Sequence, residues 1–189
     1  MRIDNPILVH PGGFGQLVPI RTFGVTTAVA SVDFTLPGEF NTFMFHVRDL
    51  RFDADDVEVY LRVSFDGGAT FETGASAYGW YTFRMDTTTE ANVIDVGDSE
   101  ISLTGGSADA VGNAPGEGFN GKIWLLNPPG GIGVRWLVGG QVSWTGATGL
   151  ANLTSIAGRI TSQRNVNAIQ FTTGLANIAR GHFSMYGIR

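Results

Sequence analysis

Cysteine is absent from the 189 residues, which excludes a disulfide framework and any thiolate metal site. Charge is scarce: Asp, Glu, Lys and Arg make up 15% of the chain, against about 25% in an average globular domain. Lys122 is the only lysine, so nearly all positive charge sits on arginine, the residue favoured at interfaces. The formal net charge of −5 argues against a nucleic-acid partner held by a basic patch. Apolar runs are broken by charge or glycine well short of the roughly 18 residues that a membrane span needs. The opening MRIDNPILVHPGGFGQLVPI has Asp4 and three prolines interrupting any apolar run, so it does not read as a signal peptide. Helical patterning is missing too, since no stretch sustains the i, i+3, i+4, i+7 spacing over 11 or more residues. No internal repeat is visible.

What is present is glycine, 27 residues, about twice the usual share of roughly 7%, together with short runs of alternating apolar residues. The clearest is Val57 to Phe71, VEVYLRVSFDGGATF. Val57, Val59, Leu61, Val63 and Phe65 alternate with Glu58, Tyr60, Arg62 and Ser64, the signature of a strand with one buried face. Asp66-Gly67-Gly68 then supplies the positive-φ positions that a tight structural hairpin turn demands, and the chain resumes at Ala69-Thr70-Phe71. Residues 1 to 20, with Pro6, Pro11 and Pro19 and several glycines, read as an extended arm. Further strands are expected over 21–36, 40–47, 77–85, 122–127, 133–138, 141–144, 154–161, 165–171 and 181–188. Residues 86 to 100 read as a polar loop with one short extended piece. Phe40 to Val47 is apolar on both sides, so it is covered twice or meets another subunit. About ten short strands separated by turn signals indicate one all-β domain over 21–189, a jelly-roll-like β-sandwich.

Several motifs invite chemistry and give little. Ser64-Phe65-Asp66-Gly67-Gly68-Ala69-Thr70-Phe71 fits the Asp-box pattern of sialidases, where it is a structural hairpin repeated around a propeller. Here it occurs once, and Asx-turn hydrogen bonding is the physics it implies. Gly116-x-Gly118-x-x-Gly121 has dinucleotide-fingerprint spacing but is followed by a strand rather than a helix. Asp53-x-Asp55-Asp56-x-Glu58 lacks both the turn glycine and the distal Glu of an EF-hand. A solvated acidic turn is expected there, with a weak calcium site as the alternative. There is no Gly-x-Ser-x-Gly elbow, no His-Glu-x-x-His, and only His10, His46 and His182 among histidines. No cofactor is implied. The aromatics Tyr78, Trp80, Tyr81, Trp124, Trp136 and Trp144 exceed what one core face needs. Of these, Tyr78, Trp80, Tyr81 and Trp124 are the candidate contacts to a glycan or to another subunit, against a plain reading as core.

The closing Gly181-His182-Phe183-Ser184-Met185-Tyr186-Gly187-Ile188 resembles the C-terminal strand of phage and prophage structural proteins. There the chain ends in a pattern like Gly-x-Phe/Ile-x-Leu-Tyr-Gly-Leu/Ile, from which Met185 departs. The preceding Ala168-Ile169-Gln170-Phe171 and Ala176-Asn177-Ile178, the run Leu61 to Phe71 and Tyr78-x-Trp80 are similar to the same group. The resemblance spans roughly residues 40 to 189 and implies a virion β-domain of the tail or appendage type, with no catalytic residue carried over. The expected function is a non-enzymatic structural protein of a tailed phage, in a tail, fibre or related appendage that contacts a host surface glycan. A capsid decoration protein is the alternative, and a glycan-cleaving enzyme the third. The expected partners are copies of the same chain, with a trimer preferred, and other virion proteins reached by residues 1–20.

Overall fold

The structure, a computed structural model, describes residues 15–106, 110–126 and 137–189. Its strands in chain order are β1 (Leu17–Val25), β2 (Ser31–Thr35), β3 (Thr42–Phe52), β4 (Val59–Ser64), β5 (Tyr78–Asp86) and β6 (Glu90–Asp98). They continue as β7 (Ile101–Ser102), β8 (Phe119–Leu126), β9 (Leu137–Thr145), β10 (Ala151–Ile160), β11 (Ala168–Thr173) and β12 (Ile178–Ile188). No helix occurs among the described residues. The fold is an all-β sandwich of two antiparallel sheets. The large sheet has the order β1-β12-β3-β8-β9-β10-β5-β6, and the small one β2-β11-β4-β7.

Strict alternation gives each strand its inner face. In β3, Phe43, Phe45 and Val47 point inward and are almost fully buried; in β12, Phe183 and Met185 do the same. Phe34 of β2 and Phe171 of β11 answer them from the small sheet. Their rings interlock: Phe34 lies 5.3 Å from Phe45 edge-on and 5.4 Å from Phe23 of β1, and Phe171 lies 5.6 Å from Phe183. Edge-to-face and tilted contacts at these spacings are the arrangements aromatic quadrupoles favour.

The chain alternates between sheets through β1, β2, β3 and β4, and again through β7, β8, β11 and β12. Two hairpins interrupt this path. The β5–β6 hairpin follows β4, and β9–β10 follow β8. The two join through β10 and β5, which pair in register from Asn152↔Asp86 to Ile160↔Tyr78, and so widen the large sheet by four strands. Strands β7 and β4 of the small sheet line the inner face of this extension. A Cβ on Gly158 would stand 2.9 Å from Ile101, and the Tyr78 hydroxyl accepts the Val63 amide at 2.9 Å.

Four expectations change. The arm does not extend to residue 20: β1 starts at Leu17 and zips along β12, Leu17 opposite Ile188. Pro19 is tolerated because β1 is an edge strand with one unpaired side, and a register shift falls between Pro19 and Arg21. The remainder of the expected arm, residues 1–14, lies outside the described residues. Residues 21–36 are not one strand, because the chain leaves the large sheet after Val25 and enters the small one at Ser31. Residues 90–98 form β6, a full strand that reads as loop because it is an edge with one solvent face and little apolar alternation. The turn after β4 ends that strand instead of joining it to a second one in a hairpin. Met44 also bears on the two-sided β3. It is 7% exposed on the outer face, between its register partners Trp124 and Tyr186, so part of the second cover comes from the chain itself.

The Asp66 turn is built as its residue types imply. Ser64 Oγ donates to Asp66 Oδ1 at 2.7 Å and accepts the Gly68 amide at 2.9 Å. Asp66 takes the Thr70 amide at 2.9 Å and the Thr70 hydroxyl at 2.6 Å. Gly67 and Gly68 have φ of 79° and 92°. The Gly67 amide donates to Asn167 Oδ1 at 2.7 Å, tying the turn to the approach of β11. The Thr70 hydroxyl, then the Thr70 amide and Ser64, hold the Asp66 carboxyl far below its usual range. Asp66→Ala and Gly68→Ala should each lower Tm by about 3 °C, the scale of one lost turn in a domain of this size. A carboxyl held low in the folded state stabilises fully above the unfolded-state value near pH 4 and loses that contribution as pH falls below it. The Tm gap between wild type and Asp66→Ala should therefore be full at pH 7 and close progressively between about pH 4 and pH 2. Calorimetry of both proteins across that range checks it.

Candidate functional site

The outer face of the large sheet differs from an ordinary solvated face. On β8, Phe119, Ile123 and Leu125 are buried inward, so Asn120, Lys122, Trp124 and Leu126 point out. On β9, Val138, Val142 and Trp144 point in, which leaves Leu137, Gly139, Gln141 and Ser143 outside. Pairing then sets rows across the strands. Trp124 lies opposite Gly139, Gly139 opposite Ala157, Ala157 opposite Tyr81, and Tyr81 opposite Ile94. The next row runs His46, Lys122, Gln141, Ser155, Phe83.

Two features stand out on this face. A depression of about 610 Å³ opens over Gly139 and Gly140, bordered by Trp124, Leu126, Leu153, His46, Lys122 and Gln141. Beyond it, toward the β6 edge, an apolar strip carries Tyr81, Leu137, Ile94 and Val96, the last two 67% and 73% exposed. Partial burial, then the charges of Arg48 and Lys122, lower the pKa of His46. Among the described residues no hydrogen bond joins His46 to a carboxylate or hydroxyl, so it lacks the oriented partner a general base needs.

A polar cluster occupies the outer face of the small sheet. Glu58 accepts the Ser102 hydroxyl at 3.1 Å and the Thr104 hydroxyl at 3.3 Å, and Arg62 pairs with Glu100 at 2.7 Å. Burial, more than its neighbours, raises the pKa of Glu100, and burial followed by Glu58 raises that of Tyr60. Glu58 borders a cleft of about 390 Å³ with Tyr60 and Leu175, but Glu100 does not line it. Both carboxylates are held by partners of their own chain and close the β4–β7 edge.

The aromatic candidates divide by face. Tyr81 is 40% exposed and Trp124 is half-buried, both on the outer face. Tyr78 and Trp80 are corrected to core. Tyr78 has no exposed surface, and Trp80 is 7% exposed with its indole N–H donated to Asp98 at 3.0 Å. They share a strand with Tyr81, but even and odd positions face opposite ways. Trp144 is buried inward, and Trp136 lies outside the described residues.

The calcium alternative at Asp53, Asp55 and Asp56 is likewise corrected. Asp53 takes the amide and side chain of Asn177, Asp55 the Asn113 amide, and Asp56 the Ala110 amide. Three carboxylates spent on three different loop contacts do not converge. Among the described residues no group of three His, Cys, Asp or Glu side chains could hold a metal ion.

The residues the motif reading passed over are Gly139, Lys122, Gln141 and Asn120. The sequence pattern reads Gly139-Gly140 as a break between strands at 133–138 and 141–144, whereas both glycines lie inside β9, and strand glycines often mark close approach of a ligand or backbone. The chain matches no family model, no curated protein and no solved structure in comparisons with known proteins.

The core role of Tyr78 has a direct consequence. Its hydroxyl accepts the Val63 amide and donates to the Glu72 carbonyl at 3.1 Å. Tyr78→Phe should cost about 2 kcal/mol by leaving a buried amide without a partner. Tyr81→Phe, at an exposed site, should change stability by less than about 0.5 kcal/mol. Urea unfolding of the two variants measures both.

Proposed function

We propose that the chain is a non-enzymatic structural protein of a tailed-phage particle, a subunit of a tail, fibre or related appendage that works as a homo-oligomer. The observation that carries the assembly half is the strip of Tyr81, Leu137, Ile94 and Val96 beside the open β6 edge. Apolar side chains exposed to this extent next to an unpaired strand edge are what subunit contacts cover. Only Glu90, Asp95 and Asp98 interrupt β6 with charge. The virion half rests on the resemblance of Gly181 to Ile188 and Leu61 to Phe71 to phage structural proteins.

Strand order supports the same reading. β1-β12-β3-β8 lies in one sheet and β2-β11-β4-β7 in the other, the order that results when a long antiparallel pair of chain segments is rolled into two interlocked Greek keys. We read the domain as a jelly-roll-like sandwich with two added hairpins, an architecture used by viral capsid and lectin domains. Three-fold symmetry is the preferred state and rests on the resemblance alone. Residues 1–14 precede the β1 edge and are proposed to reach neighbouring virion proteins. Deleting them should impair incorporation into particles while the domain still melts cooperatively, and a truncated chain that fails to fold would refute this role.

Light scattering at micromolar concentration tests assembly. The wild type should elute at three times the 20.2 kDa chain mass. Ile94→Asp with Val96→Asp should release monomers that keep the wild-type far-UV spectrum. A monomeric wild type overturns the assembly reading, and a dimer or pentamer overturns the trimer alone.

A further inference from the structure

We propose that the depression over Gly139 is a saccharide site selective for a sugar bearing a carboxylate, with the ring face on Trp124 and the carboxylate at Lys122. It deepens the structural reading and rests on it in one respect: an appendage subunit is what would bring this face to a polysaccharide surface.

The shape argument comes from the two glycines. A Cβ on Gly140 would stand 2.7 Å from the Lys122 carbonyl, so backbone packing requires glycine there. At Gly139 a Cβ would meet nothing nearer than the Ile156 carbonyl at 3.9 Å, and its φ lies outside the left-handed region. Packing therefore does not demand glycine at 139, and a strand is weaker for having one. Its missing side chain is what opens the space beside Trp124.

The lining matches the chemistry of a sugar acid. Trp124 offers an aromatic face flanked by Leu126 and Leu153 for the apolar side of a ring. Gln141, Ser143 and Asn120 offer amide and hydroxyl groups for ring hydroxyls. Asn120 uses its carbonyl on the Asp49 amide at 2.9 Å, and among the described residues nothing engages its N–H donors. Charge settles the class. The chain has 17 acidic and 12 basic residues, yet no carboxylate lines this depression. Its one cation is Lys122, exposed and without an ion pair among the described residues. The pKa of neighbouring His46 is lowered by partial burial first, and then by the charges of Arg48 and Lys122. A compact ammonium beside amides and an indole suits a carboxylate carried on a polyhydroxylated ring.

Titration calorimetry with a glucuronic-acid-containing tetrasaccharide, its carboxyl-reduced counterpart and a sialyllactose provides the test. The wild type should bind at least one of the acidic probes at least about tenfold more tightly than the reduced one, and the preference should weaken in high salt. Lys122→Met should abolish the preference. Trp124→Ala and Gly139→Leu should abolish binding of all three while keeping the wild-type melting cooperativity and molar mass. Equal binding of acidic and reduced probes, no binding by the wild type, or full binding by Gly139→Leu each overturns the site. Molar mass measured on the same samples separates the two readings. A monomer that binds the acidic probe ends the assembly proposal and leaves the site standing. An oligomer that ignores every probe does the reverse.

Discussion

The fold hangs on Phe34. This fully buried ring of the small sheet touches Phe23, Phe45, Phe171 and Phe183, which come from β1, β3, β11 and β12. Strands β1, β3 and β12 of the large sheet are thereby fixed against β2 and β11 of the small one across the sandwich gap. Non-directional burial alone would allow each strand to slide by two residues and still hide an apolar face. Interlocked rings at fixed tilt do not, because a slip breaks several aromatic contacts at once. Arg21 lies 4.6 Å from the Phe23 ring centre and extends the cluster to the surface with a cation over the aromatic face.

Past β8 the molecule changes character. The inserted hairpins give the large sheet strands whose inner faces meet β7 and the residues following it, and whose outer faces meet solvent. The residue types follow that split. Tyr78 and Trp80 bury their rings and spend their polar ends on Val63, Glu72 and Asp98. Leu137, Ile94 and Val96 carry apolar surface outward, and Tyr81 joins them with its hydroxyl donated to Asn92 on the same outer face at 2.7 Å. A sheet face of this kind next to an edge strand is where association lowers free energy most, because apolar burial and strand pairing are available together.

Much of the architecture was legible because period-2 alternation reports a half-buried strand directly, and β4 and β10 show it cleanly. The Asp66 turn was legible for a different reason. Ser, Asp, Gly, Gly and Thr at fixed offsets encode their own hydrogen bonds, so no tertiary information is needed. The failures share one cause. Alternation says that two faces differ, but not which sheet a strand joins, whether its partner is there, or which parity faces in. The 21–36 segment therefore read as one strand, β6 as loop, and Tyr78 as equivalent to Tyr81. The depression was hidden for a related reason. Lys122, Gly139 and Gln141 are adjacent only through the β8–β9 register, and a glycine that matters by what it leaves empty carries no motif.

The position of β12 has a consequence for how the chain is made. It lies between β1 and β3 and pairs with both, yet it leaves the ribosome after each of the other eleven strands. Until then β1 and β3 have no direct pairing to each other, and both present a bare edge while Phe34 waits for Phe183. Nascent chains of this topology cannot close their sandwich in step with synthesis. They depend on late, sequence-distant closure, the slow class of β folding.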